Sequence, residues 1–211
     1  MRTILKDSEP ASLAQHRSGP HANYDNYRDK DTLRAHLVNE QRGLCCYCMS
    51  RIRAEAGGMK VEHWHSQDSY PAEQLDYSNL LGACLGNEGK LGKDQHCDTR
   101  KRNRNLSRNP ANKIHRVEEL IKFSGGGQVF SNHQLFDKEL NEVLNINLAF
   151  LKNNCKGTLT AFQHALQKRG ELQRKTLEKW MREWSGESGT SELQPYCQVV
   201  VYWLRKRLAR P

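Results

Sequence analysis

The chain has 211 residues, enough for one domain of ordinary size and a small second one. Its 33 Lys and Arg residues outnumber its 24 Asp and Glu residues, which gives a formal net charge of +9. Because basic side chains neutralise phosphates, this surplus favours a polyanionic partner, with nucleic acid ahead of a membrane. The longest apolar segment, residues 199–204, is far too short to cross a bilayer.

The cysteine count points to metal binding. Seven is an odd number, and no apolar run follows the first residues as it would in a signal peptide. We therefore expect a cytoplasmic protein without a membrane partner. In that setting, closely spaced cysteines bind metals more often than they form disulfides.

Residues 1–44 are predicted to form an N-terminal arm and a helix that pack on the core. A short helix is expected at residues 11–16, within the arm. Asp31 is the predicted N-cap of the next helix, and Gly43 its end. Between them, Leu33 and Leu37 recur at helical spacing.

Residues 45–109 are predicted to form the core, and a basic run follows its last cysteine. From Thr99 to Val117 there are seven Lys or Arg residues and no acidic residue. A helix is predicted from Pro110 to about Lys122. The three glycines at 125–127 then predict a turn into a short strand at residues 128–130.

Residues 110–211 are predicted to be mostly helical. The apolar pattern runs from Leu135 through Leu166 to a stop at Gly170, and Leu172, Leu177 and Trp180 begin another helix. A linker is predicted at 186–191, and a last helix starts near Pro195. Cys155 and Cys197 fall inside helical patterns, which indicates core packing. The apolar stripes could form a partner-docking surface or the region's own core.

The spacing of four cysteines is typical of a zinc site. Cys45 and Cys48 have the C-x-x-C spacing by which one tight turn presents two thiolates to an ion. Cys84 and Cys97 are the natural second pair, although thirteen positions separate them. His96 could replace Cys97 as the fourth ligand. A four-thiolate site leaves no open position for a substrate, so this zinc would be structural.

Between the cysteine pairs lies an acid followed by a base. Val61-Glu62-His63 is predicted as a short strand ending in these two side chains. Hydrolysis of a phosphodiester needs a group that deprotonates water, and a histidine that titrates near neutrality suits that task. A hard ion such as Mg²⁺ offsets charge on the phosphate, and carboxylates suit it as ligands.

Together these pieces resemble the HNH endonuclease motif of the ββα-metal family. That pattern is C-x-x-C, Asp/Glu-His, Asn-Leu, and a second cysteine pair ending in Cys-Asn/His-x-x-Lys. In this chain it is Cys45-x-x-Cys48, Glu62-His63, Asn79-Leu80, Cys84 and Cys97-Asp98-x-x-Lys101. The chain most resembles the HNH subunit of Septu-type and retron-associated anti-phage defence systems (PtuB-like), which also has Glu-His and a His-Cys-Asp ending.

The resemblance implies an α+β, mostly helical fold, with a ββα-metal HNH core and a structural four-cysteine zinc site embedded in a helical body. It implies His63 as general base, Asn79 as the residue that positions the His63 loop, and Lys101 as a phosphate contact. The implied metal ligands are Glu62 and Asp98 for catalytic Mg²⁺ or Mn²⁺, and Cys45, Cys48, Cys84 and Cys97 for structural Zn²⁺. Arg100, Arg102 and Arg104 would contact nucleic acid.

Some alternatives stay open at this stage. Asp98 stands where many relatives have Asn or His, His65 could also contribute to the metal site, and Asn79 could be a plain helix cap. Trp64 is more often a core residue than a platform for base stacking.

The resemblance also implies an activity and partners. It implies a metal-dependent endonuclease that hydrolyses nucleic acid, with DNA favoured over RNA, and that works with a PtuA-like ATPase subunit and, in retron systems, with a reverse transcriptase and its non-coding RNA. The alternatives are the same catalyst acting as a ribonuclease, for instance on tRNA, or a non-catalytic zinc module that binds nucleic acid or protein.

Overall fold

The computed structural model describes residues 1–168, 173–189 and 192–210. As predicted, this part of the chain is α+β and rich in helix. The helices in chain order are α1 Ala11–Arg17, α2 Lys30–Glu40, α3 Cys97–Lys101, α4 Val117–Leu120, α5 Gln134–Lys138, α6 Ala149–Gln167, α7 Arg174–Ser185 and α8 Cys197–Leu208. No helix in the described ranges is long and apolar enough to cross a membrane.

The described residues form two small antiparallel sheets of two strands each. Strands β1 Lys60–His63 and β2 Leu80–Ala83 pair in the register Lys60↔Ala83 to His63↔Leu80. Strands β3 Ile121–Phe123 and β4 Val129–Ser131 form a hairpin around the predicted glycine turn. The prediction of strands at residues 61–63 and 128–130 is confirmed. In chain order, β1 and β2 are followed by the short helix α3.

The N-terminal helices lie where they were expected, but one cap was wrong. The side chain of Asp29, not that of Asp31, accepts a hydrogen bond from the backbone N–H of Thr32, and α2 begins at Lys30. Either Asp can cap a helix, and the position at which the chain turns from extended to helical backbone decides between them. Gly43, with φ of +76°, closes the turn that follows α2, as expected.

The helix predicted from Pro110 to Lys122 was wrong. A 3₁₀ turn at Lys113–His115 and the single-turn helix α4 occupy this stretch, and Lys122 lies in β3. Arg116 interrupts the helical backbone with a left-handed conformation. Ile121 is buried and pairs with Ser131, so pairing with β4 outweighs the local helical preference.

The long apolar pattern after Leu135 divides into two helices. A π-helical turn at Glu139–Val143 follows α5, and Asn145, with φ of 50°, separates it from α6. The Asn145 side chain donates hydrogen bonds to the carbonyls of Lys93 and Gln95, which ties this break to the loop before α3. The predicted stop at Gly170, Leu172 and the end of the 186–191 linker lie outside the described residues.

The two largest hydrophobic clusters of the described residues join elements from all parts of the chain. The larger cluster contains residues from the arm, the predicted core and the helical region, such as Leu33, Leu80 and Leu151. The smaller cluster joins α6, α7 and α8 through residues such as Phe162 and Val200. Cys155 and Cys197 are buried, as predicted. The three-part division at residues 44 and 109 stays a prediction.

Gln41 links the end of α2 to the strand pair. Its side chain is 4% exposed, donates to the carbonyls of Leu44 and Gly82, and accepts from the Gly82 N–H at 2.6 Å. A Cβ on Gly82 would lie 2.9 Å from Ile52 Cδ1 and 3.2 Å from the Gln41 amide nitrogen. A methyl group at this position would crowd the ends of Ile52 and Gln41, which would have to shift slightly to make room for it.

We expect Gln41→Leu to lower the free energy of unfolding by about 2 to 4 kcal/mol, because it removes the side-chain partners of buried backbone groups. Urea titration followed by circular dichroism measures this change. Gln167→Leu, on an exposed position of α6, serves as the control and should leave the midpoint nearly unchanged. Equal midpoints for the two variants would contradict the assigned role of Gln41.

Candidate functional site

Four cysteine sulfurs converge in the interior. One ligand atom from each of Cys45, Cys48, Cys84 and Cys97 lies within 4.8 Å of all the others. The Sγ atoms of Cys45 and Cys97 are 3.9 Å apart, and those of Cys48 and Cys84 are 3.7 Å apart. Zinc at about 2.3 Å from each sulfur of a tetrahedron would place the sulfurs roughly 3.8 Å apart. The four residues therefore fit a structural zinc ion.

His96 lies beside this cluster. Its Nδ1 is 3.1 Å from the Sγ of Cys97 and 4.0 Å from that of Cys84. These distances suit a hydrogen bond to a ligand sulfur better than a place in the tetrahedron. Burial opposes ionisation of Cys45, yet hydrogen bonds among the thiols lower its pKa well below the usual range. Hydrogen bonds raise the pKa of Cys84 and burial raises that of Cys97, so ionisation of Cys45 is favoured while these two neighbours keep their protons, which zinc would displace.

Tight turns bring distant cysteines together. The Met49 N–H donates to the Cys45 carbonyl at 3.1 Å, which closes the turn that presents the first pair. Cys97 has φ of 53° at the start of α3. Gly86 has φ of +58°, and a Cβ there would lie 2.2 Å from the His96 carbonyl. Only glycine allows this approach, by which the long connection returns the chain from Cys84 to Cys97.

Glu62 and Lys101 form a buried ion pair. Glu62 is 2% exposed and Lys101 is fully buried, with 2.8 Å between Nζ and Oε1. Tyr47 donates its hydroxyl to the same carboxylate oxygen at 2.6 Å. Burial and the neighbouring Asp98 carboxyl raise the pKa of Glu62, and Lys101 opposes this shift. This burial does not suit the predicted contact between Lys101 and a phosphate.

His63 ends β1 and is held from two sides. Its Nε2 lies 3.0 Å from the Gln74 carbonyl, and its ring meets Tyr24 edge-on with 4.5 Å between centroids. A carbonyl only accepts hydrogen bonds, so Nε2 carries the proton of the neutral ring and Nδ1 is left as an acceptor. Burial lowers the pKa of His63 below its ordinary value. The ring is therefore neutral near pH 7.

Asn79 braces the loop that follows His63. Its side-chain oxygen accepts from the His65 N–H at 2.7 Å, and its amide donates to the carbonyls of His65 and Glu73. The 3₁₀ turn at Tyr77–Asn79 is capped by Asp76, so Asn79 is not the cap. His65 pairs with Glu73 at 2.7 Å.

The two predicted ligands of the catalytic metal, Glu62 and Asp98, lie near each other but are not part of a larger group of metal ligands among the described residues. In residues 1–168, 173–189 and 192–210, the four cysteines are the one group of three or more His, Cys, Asp or Glu ligands at metal-binding separation. Glu62 and Asp98 are close enough for Asp98 to raise the pKa of Glu62. Lys60 lies 3.4 Å from Asp98 and Lys101 lies 2.8 Å from Glu62, so two ammonium groups already neutralise these carboxyls.

The three arginines predicted to contact nucleic acid differ in their surroundings. Arg104 is tied by its guanidinium to the carbonyls of Arg100, Lys101, Glu142 and Val143, which joins α3 to the π-helical turn. Arg100 donates to Gly92. Arg102 is exposed at the end of α3, with a strained backbone at φ 52° and ψ −130°. It is the best placed of the three to reach a ligand.

Sequence reasoning missed two side chains that complete the site. Tyr47 and Lys60 hold Glu62 and Asp98, respectively. Tyr47 stands inside the Cys45–Cys48 motif, so its position was a usable signal. Nothing in the sequence indicated that Lys60 contacts Asp98, because only the pairing of β1 with β2 shows which residues of the strand lie near α3.

We expect Cys84→Ala to lose bound zinc, because three thiolates hold the ion less well than four. Zinc content of the purified protein, by mass spectrometry of the metal, should fall well below one ion per chain, together with the thermal midpoint. Cys155→Ala removes a buried thiol outside the cluster and should retain zinc. Full zinc retention by Cys84→Ala would contradict the assigned cluster.

Arg104→Ala should lower the free energy of unfolding by about 1 kcal/mol, because carbonyls of α3 and of residues 142–143 lose their shared donor. Arg102→Ala should leave stability unchanged, since its side chain makes no hydrogen bond to the described residues. Chemical denaturation of the two variants tests this difference. The opposite ranking would show that Arg102 is the structural residue.

The comparisons with known proteins agree with the motif. No protein-family model matches the chain. Over 98 residues it is 33% identical to an Escherichia coli protein named as a candidate HNH endonuclease of retron Ec83. This match covers 41% of this chain and 38% of the relative. Over 63 residues it is 33% identical to Septu protein PtuB of Bacillus thuringiensis. This second match covers 30% of this chain and 24% of the relative.

The matched regions span well under two thirds of either relative, so the similarity describes a part of each protein. The resemblance predicted from the cysteine, Glu-His and Asn-Leu motifs is confirmed on that scale. Over these segments, the chain is similar to a retron HNH protein and to a Septu protein.

Proposed function

We propose that this protein is a metal-dependent HNH endonuclease that hydrolyses phosphodiester bonds of nucleic acid, with DNA favoured, as an effector of anti-phage defence. The observation that carries the proposal is His63, a buried neutral imidazole that is held through Nε2 and feels the charge of Asp98, in a protein that also gathers four cysteine sulfurs. The two relatives from defence systems support the same assignment.

In this proposal, His63 acts as the general base. Nε2 is occupied by the Gln74 carbonyl, so Nδ1 is the nitrogen that accepts a proton from the attacking water. The lowered pKa keeps the base unprotonated at neutral pH. Asn79 holds the backbone of His65 by two hydrogen bonds and so fixes the path of the chain directly after His63. Asn79 is therefore a positioning residue.

The proposed ligands of the catalytic Mg²⁺ or Mn²⁺ are Glu62 and Asp98. Their oxygen donors are of the right chemical type, and a bound cation would oppose the rise in the pKa of Glu62 that burial and the neighbouring Asp98 carboxyl cause. Binding there requires Lys60 and Lys101 to yield part of their present contacts. Such an ion would offset negative charge on the phosphate oxygens.

The buried state of Lys101 changes the role that we propose for it. Through Glu62 Oε1 and the His63 carbonyl it connects α3 to β1, so it positions both functional side chains instead of touching phosphate. The exposed Arg102, with Arg100 beside it, takes the proposed phosphate contact.

The partners stay proposals as well. We propose that the protein acts with a PtuA-like ATPase subunit and, in a retron setting, with a reverse transcriptase and its non-coding RNA. The retron and Septu names of the two relatives support this context. The net charge of +9 supports a nucleic-acid substrate.

We expect wild-type protein to cut nucleic acid in the presence of Mg²⁺ or Mn²⁺ and His63→Ala to lose at least about a hundredfold in rate, because removal of a general base typically costs that much. Supercoiled plasmid and total tRNA should be assayed separately, with and without the ATPase subunit. The polymer that is consumed distinguishes a deoxyribonuclease from a ribonuclease.

His164→Ala, an exposed histidine on α6, is the matched control and should cut at the wild-type rate. Zinc content and circular dichroism should be the same for both variants. A chelator should stop the reaction. Retained cutting by His63→Ala, or no metal-dependent cutting by the wild type under any of these conditions, would contradict the proposed function.

A further inference from the structure

A second candidate binding surface lies among the C-terminal helices. A groove of about 310 Å³ is lined by α6, α8 and the turn that follows β3, with Phe123, Gln163 and Tyr202 among its lining residues. None of the residues proposed for hydrolysis or for zinc lines this groove. Its volume is at the lower end of the range for small-ligand sites, so it suits a nucleotide and not a helix.

The groove carries positive charge without internal compensation. Lys206, Arg207 and Arg210 line it, and all three are exposed. Within the described part of the chain, none of them has a carboxylate partner and no Asp or Glu lines the groove. The neighbouring Arg205, in contrast, is paired with Glu118 at 3.3 Å. The three cations, which lack an acidic partner among the described residues, are therefore available to an anion.

The same groove offers an aromatic surface. Tyr202 is half-buried, and its ring centroid is 5.7 Å from that of Phe123. Lys206 follows one helical turn later, with Nζ 5.6 Å from the Tyr202 ring centroid. An aromatic face beside a row of cations is the combination by which proteins bind unpaired nucleotides, with bases on rings and phosphates on basic side chains.

We infer that this groove binds a single-stranded segment of nucleic acid. Lys206, Arg207 and Arg210 contact consecutive phosphates, and a base packs against Tyr202 and Phe123. The strand is unpaired, because the face of a base is accessible to a side chain only outside a stacked duplex. The groove would thus hold nucleic acid independently of the residues around His63.

Fluorescence anisotropy of the full-length, zinc-bound protein with a labelled oligothymidylate, without added Mg²⁺, tests this inference. We expect Lys206→Ala/Arg207→Ala to weaken binding about tenfold. The plot of log affinity against log salt should become shallower by about 1.4, since each phosphate contact to a single strand contributes about 0.7. Tyr202→Ala should weaken binding about fivefold or more, and Tyr202→Phe should bind as the wild type does.

Lys175→Ala/Arg182→Ala removes the same charge from exposed positions of α7 and is the matched control. It should keep the wild-type affinity and salt slope, and a duplex of equal length should bind less tightly than the single strand. Unchanged binding by the Lys206/Arg207 variant, an equal loss in the α7 control, or equal affinity for duplex would overturn the inference.

Hydrolysis plays no part in this measurement. A protein that binds through the groove but does not cut would contradict the proposed nuclease and support the groove. If instead the protein cuts nucleic acid but the groove variants bind as tightly as the wild type, the proposed nuclease is supported and the groove is contradicted.

Discussion

Convergence of four thiols is the constraint on which the rest of the structure depends. Cys45 and Cys48 come from one turn, Cys84 from the end of β2, and Cys97 from the start of α3, yet their sulfurs lie within 4.8 Å of one another. Bringing them together forces β2, α3 and the first turn into one arrangement. Because a bound metal ion stabilises only that arrangement, zinc binding and folding of this region would be coupled.

The buried pair of Glu62 and Lys101 extends this constraint to the candidate catalytic residues. Lys101 follows Cys97 on the same short helix, and its ammonium reaches both Glu62 and the carbonyl of His63. Removing one partner of such a pair leaves an uncompensated buried charge and typically costs about 3 to 5 kcal/mol. The pair therefore couples the cysteine cluster to the position of His63, and the hydrogen bonds of Asn79 hold the chain that follows.

Tertiary contacts explain where prediction from the sequence was wrong. The stretch from Pro110 to Lys122 has helical composition, but pairing of Ile121 with Ser131 turns its end into a strand. The apolar pattern from Leu135 onward is helical throughout, but Asn145 breaks it to bind carbonyls of the loop before α3. In both places a contact outside the segment overrides its helical preference: the hairpin partner of Ile121 lies ten positions further along the chain, and the carbonyls bound by Asn145 lie 52 and 50 positions away.

The sequence by itself determined the identity of the metal-ligand candidates, the short strand ending in Glu62 and His63, and most helices, because spacing and apolar periodicity are local properties. Only the tertiary structure decided which of the predicted site residues are accessible. Lys101 is buried on Glu62, Arg104 is exposed but tied to backbone carbonyls, and Arg102 is exposed with no such hydrogen bond to the described residues. These three basic residues are near neighbours in the sequence, and their different surroundings follow from how α3 packs against β1 and against the turn after α5.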